Sequence, residues 1–431
     1  MKSIGFFLLI LCLVMKVELF IARRLKLAHD NKSGSPSLNV AMIGIVLAIV
    51  IMILSVVIVL GFKREITHKI YSLDSHLKIT NAALGIDDNF STVNAHEVFR
   101  GILSDTAVAA KISSMSLMAE KPAILKTDND FQAVVYRGVD DGFDWSYIKE
   151  HLVEGRVPLV NDTADNREIV ISKHIANQLR LNVNDKIFTY FIDNQVKVRR
   201  SVVVGIYNTD FENFDKAYIV GNISLLQSVN GWSPMVGNYV GVNLNQTSNL
   251  NAEAERLYAD LAWSICEHDS PTLYMVSQIQ NNNTAYFTWL GMLDMNVVII
   301  LALMVIVSSF TLIAAMLMIV LERIKMVGML KALGASNRLI RHIFIYLTSK
   351  LILKSIVIGN LIGIGMALIQ RHFHVIHLNP DAYYMSYVPI EINVLALVLL
   401  NVGILVVSYF TLLAPSHIIS TIKPTATMKF E

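Results

Sequence analysis

The sequence predicts a membrane protein: four transmembrane α-helices, with a large α/β extracytoplasmic domain inserted between the first and the second. Three observations carry this. Hydrophobic residues make up 54% of the 431 and charged residues only 16%, where soluble domains carry about 25% charge. The distribution is uneven: uncharged blocks stand near the N-terminus and in the C-terminal third, and the middle reads as an ordinary soluble domain. The uncharged run 297–321 exceeds the roughly 20 apolar residues that cross a bilayer, and Arg323, Lys325, Lys331, Arg338 and Arg341 follow it at once, opposed only by Glu322. Positive charge packed against one end of a spanning helix marks that end as cytoplasmic.

With that end inside, the other elements fall into order. Residues 1–38 form an N-terminal cytoplasmic-side segment. Its first part, 1–14, carries Lys2 and an apolar run resembling a signal-peptide core. That run is too short to span comfortably and no small-residue cleavage site follows it. Residues 1–14 read as an extension, with Met15 as the alternative start of an amphipathic helix. Arg23, Arg24, Lys26 and Lys32 hold the segment inside. A polar, turn-rich link (31–37) leads into the first span, 39–62; its uncharged part, 40–60, covers roughly 31 Å as a helix. Lys63 and Arg64 then fall outside, against the charge rule, and the larger basic cluster on the other side outweighs them.

Residues 63–288 form the extracytoplasmic domain. Alternating or β-branched runs predict strands at 77–80, 131–136, 187–192, 196–206 and 240–244. Residues 168–179 read as a strand running into a helix capped by Ser172, with a turn at 182–185. Residues 245–257 read as a polar loop entering a helix. Tyr286, Phe287 and Trp289 mark the outer interface, so the second span is 289–321, with Asp294 still wet. The cytoplasmic segment is 322–342, the third span 343–369, the outer loop 370–391, the fourth span 392–413 ended by Pro415, and the cytoplasmic tail 414–431. Gly359, Gly363 and Gly365 have the spacing that lets helices pack closely in lipid, against either a helix of the same subunit or one of a second. Lys350 and Lys354 in the inner half of the third span read as snorkelling to the surface, with a buried functional lysine as the alternative.

The cytoplasmic segment is the most informative stretch. Met326, Met329, Leu330 and Leu333 follow the i, i+3, i+4, i+7 rule and predict one apolar helical face. Gly334 suits the left-handed conformation that stops a helix, and Ser336 can cap the next. A short amphipathic helix, a tight corner and a return to the membrane result. Such a helix either lies on anionic lipid or docks a cytoplasmic partner.

Residues 322–336, Glu-Arg-Ile-Lys-Met-Val-Gly-Met-Leu-Lys-Ala-Leu-Gly-Ala-Ser, resemble the signature segment of the FtsX/MacB/LolC-LolE superfamily of ABC transporter permeases. The Leu-Lys-Ala-Leu-Gly-Ala core, 330–335, is the specific part. Residues 15–24, 135–140, 154–156, 169–179, 203–215 and the closing tail are similar in the same order, and the likeness leans toward the LolC/LolE lipoprotein-releasing subunits. It implies a MacB-like periplasmic core domain and a stalk at 61–70. It also implies a coupling helix that sits on a separate cytoplasmic ABC ATPase, LolD-like, which binds the ATP; no cofactor is implied for this chain. By the same likeness Arg323, Met326, Met329, Leu330, Lys331, Leu333 and Gly334 are the coupling residues. The implied partners are a second permease subunit (identical or not), membrane lipid, a lipoprotein substrate entering between the first and second spans, and a periplasmic carrier. The implied location is the bacterial inner membrane, multi-pass, with both termini cytoplasmic. Two other members of the superfamily are the alternatives: a MacB-type efflux permease, and an FtsX-like signalling subunit controlling a cell-wall hydrolase, whose outer domain is shorter.

Other chemistries find little support. There is no G-x-x-x-x-G-K-[ST] to cradle phosphates, which separates this chain from MacB proper, whose ATPase is in the same polypeptide. The net charge of +2 says nothing about nucleic acid, but no basic stripe carries interleaved aromatics, and no nucleic-acid partner is expected. Cys12 and Cys266 make neither a disulfide framework nor a metal cluster. His372, His374 and His377 lack a helical i, i+4 pair and a nearby thiolate, and read as a polar loop rather than a zinc site. Asp140, Asp141 and Asp144 read as solvated turn carboxylates. No span holds a mid-depth Asp or Glu, against an ion-coupled transporter, and no nucleophile elbow indicates an enzyme.

Overall fold

The computed structural model describes residues 36–82, 92–127, 130–160, 167–192, 195–245, 250–268 and 273–421. They divide into a helical unit (the chain up to Arg64, Leu290–Ile376 and Val388 onward) and an α/β unit (Glu65–Trp289 and His377–Tyr387). The predicted N-terminal amphipathic helix and the end of the tail lie outside the described residues.

Among the described residues, four helices are long and apolar enough to cross a membrane: Asn39–Leu73, Thr284–Glu322, Asn337–Phe373 and Val394–Leu413. Their shared core holds Ile45, Ile49, Met52 and Ile53 of the first, Leu312 and Met316 of the second, Phe344, Leu351 and Ile352 of the third, and Ile404 and Leu412 of the fourth. The glycine stripe meets a helix of the same chain. A Cβ on Gly359 would stand 2.8 Å from Ile49 Cγ2, and one on Gly363 3.2 Å from Ile53 Cδ1, while Gly365 has nothing within 4 Å. Two of the three glycines thus let the third span settle against the first. Asn360 and Asn401 add a reciprocal amide pair between the third and fourth spans, at 2.7 and 3.0 Å, and Thr411 reaches Ser309 of the second at 3.1 Å. In hydrocarbon such pairs satisfy groups that lipid cannot.

Gly61 marks another close approach: a Cβ there would lie 2.5 Å from the Pro389 carbonyl oxygen, where the Glu391 N–H donates to the Val57 carbonyl at 3.2 Å. Lys63 and Arg64, the outer cations that run against the charge rule, each meet a carboxylate, Asp294 at 2.7 Å and Glu391 at 2.5 Å. The fourth helix continues to Thr421, past Pro415, where the sequence predicts its end. A proline removes one i→i−4 bond and strains the turn before it, and here the helix tolerates that loss.

In the α/β unit the strands are β1 (Leu77–Asn81), β2 (Val93–Asn94), β3 (Ile112–Lys126), β4 (Phe131–Val139), β5 (Leu152–Gly155), β6 (Glu168–Ser172), β7 (Lys186–Ile192), β8 (Val196–Tyr207), β9 (Tyr218–Asn222), β10 (Val236–Gly237), β11 (Tyr239–Leu244) and β12 (Tyr274–Gln278). The pairings β3–β4, β4–β9, β9–β6, β6–β8, β8–β7 and β7–β3 close a ring. β11, β1 and β12 extend from it as a sheet. Inside, Tyr136 and Phe191 are fully buried with rings 5.8 Å apart, edge to face. The five strands expected from alternation are present, each within three residues of its expected ends. The longest, β3, was not expected. It lacks a β-branched run and carries Pro122, which cannot donate to a ladder. Pro122 sits in a gap: β11 pairs with β3 only as far as Met118, and β7 begins at Ala123.

Candidate functional site

The second span ends at Glu322, and a short helix, Ile324–Ala332, begins after a break at Arg323. Its end is a complete Schellman motif. The Gly334 N–H donates to the Lys331 carbonyl at 3.0 Å, the Ala335 N–H to the Leu330 carbonyl at 2.9 Å, and Gly334 takes φ +88°. Ser336 then caps the third span, its hydroxyl accepting from the Leu339 N–H at 3.3 Å. The Leu-Lys-Ala-Leu-Gly-Ala-Ser sequence is therefore a stop and a start fused over seven residues.

Of the expected contact residues, Met329 and Leu333 are open, at 63% and 80% exposure. Arg323, Leu330 and Lys331 are half-buried and Gly334 is exposed. Met326 is different: it packs beside Val327 against the core of the helical unit. The helix is thus anchored inward through Val327, Gly328 and Met326, and presents outward a corner of Met329, Leu333 and Gly334 among Lys325, Arg338 and Asn337, all exposed. Exposed large apolar side chains on a cationic corner fit either a partner-binding surface or a helix lying on anionic lipid.

The α/β unit holds two buried polar hubs that sequence reasoning missed. Arg137, 4% exposed, donates to Glu120 at 2.8 Å and to the Leu73 carbonyl at 2.6 Å, and lies over the Tyr218 ring at 4.5 Å. The second hub is Asp215, which accepts from the Thr209 N–H at 3.1 Å and the Thr209 hydroxyl at 2.8 Å. The one signal for Arg137 was a charge inside an otherwise apolar strand pattern. Asp215 stood in the acidic, aromatic stretch 203–215, read there only as a family likeness.

Burial outweighs the hydrogen bonds at Asp215 and pushes its carboxyl up from 3.8 to about 6. Between those values the folded state holds the proton that the unfolded chain releases. This group's contribution to stability is therefore largest in acid, declines as pH rises through that window, and is constant above it. That difference corresponds to at most about 3 kcal/mol. Asp215→Asn is expected to flatten that decline, measured as thermal midpoint against pH from about 4 to about 7 in detergent; a curve parallel to the wild type would refute it.

Among the described residues no group of three His, Cys, Asp or Glu side chains is placed to hold a metal. Asp140 accepts from the Ser116 hydroxyl at 2.7 Å and the Leu117 N–H at 2.7 Å. It is a structural turn residue, more enclosed than the solvated carboxylate expected from sequence.

Four spans, an α/β domain between the first two, and an anchored cationic corner after the second define a polytopic membrane subunit. Residues 40–258, about half of the chain, match the MacB-like periplasmic core domain, and residues 298–424 the FtsX-like permease C-terminal domain. The chain is 20% identical over 411 residues to the lipoprotein-releasing system transmembrane protein LolC of Xylella fastidiosa (strain 9a5c), covering 91% of this chain and 93% of that one. It is 23% identical over 403 residues to LolE of Haemophilus influenzae, covering 89% and 91%. Among solved structures, the extracellular domain of the ABC-type transporter YknZ from Gram-positive bacteria aligns with 47% of this chain and 99% of that one, at 13% identity and a TM-score of 0.34. The periplasmic region of MacB from Actinobacillus actinomycetemcomitans aligns with 49% and 91%, at 14% identity and a TM-score of 0.34. The chain belongs to the FtsX-like permease family with a MacB-like periplasmic core domain. It is a multi-pass inner-membrane permease subunit of an ABC transporter of the LolC/LolE, MacB and FtsX type, a class that works with an ATPase.

Proposed function

We propose that this chain is the permease subunit of a lipoprotein-releasing complex, which uses ATP hydrolysis by a separate LolD-like ATPase to release lipoproteins from the inner membrane toward the outer membrane. The observation that carries this is the likeness to LolC and LolE along nine-tenths of the chain, through both the outer domain and the spans. In this reading both termini and residues 322–342 are cytoplasmic, and residues 63–288 and 370–391 are periplasmic. The ATPase sits on the corner built by Arg323, Met329, Leu330, Lys331, Leu333 and Gly334, with Met326 anchoring it from within. A second permease subunit, identical or not, completes the complex, and lipid anchors enter between the first and second spans. A periplasmic carrier takes the released lipoprotein.

The MacB-like outer domain also fits a MacB-type efflux permease acting with a separate ATPase. Purification in mild detergent followed by mass spectrometry separates the two. An ABC ATPase with triacylated lipoproteins is the expected result. An ATPase recovered with a crosslinked periplasmic adaptor and no lipoprotein would favour efflux, and a cell-wall hydrolase or its activator would favour the FtsX-like role.

A further inference from the structure

The segment His377–Tyr387 lies in sequence between the third and fourth spans, yet it belongs to the α/β unit. It is a small hairpin: His377 bridges Tyr387, the Leu378 N–H donates to the Ser386 carbonyl at 3.0 Å, and the Tyr384 N–H donates to the Pro380 carbonyl at 2.8 Å. Its seat combines polar and apolar contacts, and Met385 of the hairpin is itself buried. The buried Lys69 ammonium donates to the Thr209 carbonyl at 2.8 Å and the Tyr384 carbonyl at 2.9 Å, joining the turn after β8 to the hairpin. The Ser386 hydroxyl donates to Asp210 at 2.6 Å. The Asn213 amide donates to the Tyr384 hydroxyl at 3.3 Å and the Tyr286 hydroxyl at 2.8 Å. The Tyr384 ring stands 5.2 Å from Phe211 and 6.2 Å from Trp289.

The hairpin side of this contact carries backbone strain: Tyr384 has φ +59°, a left-handed conformation unfavourable for a bulky residue, while Asp210 at φ +53° is of a type that adopts it readily. When the contact opens, Tyr384 can relax, and water can replace each polar partner. Fastening by replaceable polar partners, with strain at Tyr384, describes a contact that can open, and the hairpin's ends run directly into the third and fourth spans.

We propose that His377–Tyr387 is a releasable strap, fastened onto the outer domain in the state described and released in another. Lys69 is its buckle and Tyr384 its tongue. That the release is driven by ATP rests on the function proposed above; the existence of the strap does not.

Two measurements on the full-length chain separate these points. In the first, hydrogen exchange is followed in nanodiscs without nucleotide or partner. Lys69→Met and Tyr384→Ala are expected to speed exchange in 377–387 at least tenfold with β3 and β4 unchanged, and Lys69→Arg, which keeps a cationic donor, to stay within about threefold of wild type. Unchanged exchange in 377–387, or a rise shared by the whole domain, overturns the strap. In the second, Asp210→Cys and Ser386→Cys are combined with Cys12→Ser and Cys266→Ser, and oxidative crosslinking is compared without nucleotide and in an ATP-plus-vanadate trapped complex. A yield at least fivefold lower in the trapped complex is expected. Equal yields, or no crosslink in either state, overturn release during turnover. A chain that never recovers an ATPase refutes the proposed function, while the exchange measurement still decides the strap.

Discussion

Reversing the charges that flank the exposed corner, Arg323→Glu together with Lys331→Glu, is expected to abolish recovery of the ATPase with the permease. The corner is anchored to the helical unit by Val327 and Met326 and ended by the Schellman motif at Gly334. Neither anchor depends on the two cations, so the reversed protein should reach the membrane and keep its thermal midpoint within a few degrees. What changes is the field that the partner meets. Close charge pairs across protein interfaces contribute roughly 1.5–7 kcal/mol, and like charges brought together cost several. Two reversals therefore remove at least about 3 kcal/mol, a factor above 100 in affinity. Leu333→Asp, placed at the most exposed apolar position of the corner (80% exposed), tests the same surface by desolvation rather than charge. The measurement is the stoichiometry of ATPase to permease after affinity purification in mild detergent. Unchanged stoichiometry in the double reversal would reject the corner as the docking site and leave an interfacial helix on anionic lipid.

What the sequence makes readable follows from which interactions are local. The corner is local: a glycine with positive φ, a serine cap and a 3.6-residue apolar period fall within eleven residues, and the geometry follows from them. The spans are readable because lipid forces every backbone group to be satisfied within the helix. Strands β1, β4, β7, β8 and β11 are readable through alternation, whereas β3 is not. Its 15 residues serve β4 along one edge and β11 then β7 along the other, so its pattern answers to three neighbours at once. The two-sided burial of β9, with Ile219 and Val220 both fully buried, likewise erases the period of two.

The site is harder to read because its polar contacts join residues far apart in the chain. Lys69 meets Tyr384 across 315 positions, and Asn360 meets Asn401 across 41. Met326 shows the limit of periodicity: its helical phase matches Met329 and Leu333, yet it packs against the core of the helical unit while they are exposed.

Arg137→Met is expected to destabilise the outer domain by about 3–5 kcal/mol, the range found when one partner of a buried ion pair is removed. The guanidinium meets three demands that a thioether cannot. It closes the end of the helix Pro36–Leu73 by donating to the Leu73 carbonyl, opposes the negative end of that helix's dipole, and pairs with Glu120 while resting on the Tyr218 ring. Burial alone would push the Glu120 carboxyl up, but Arg137, Lys78 and the Tyr239 hydroxyl together pull it below its ordinary value. A depressed carboxylate contributes stability that is present above its unfolded pKa and is lost as pH falls through the folded one. In Arg137→Met the sign reverses: burial dominates, Glu120 favours its proton, and stability now declines as pH rises past the ordinary carboxylate range. For a domain of this size the loss lowers the thermal midpoint by roughly 10 °C. Arg137→Met with Glu120→Gln leaves no orphaned charge and is expected to recover more than half of that loss. A single variant within about 1 kcal/mol of wild type, or a double variant whose loss equals the sum of the singles, would show that Arg137 and Glu120 act independently and that the hub is not a unit.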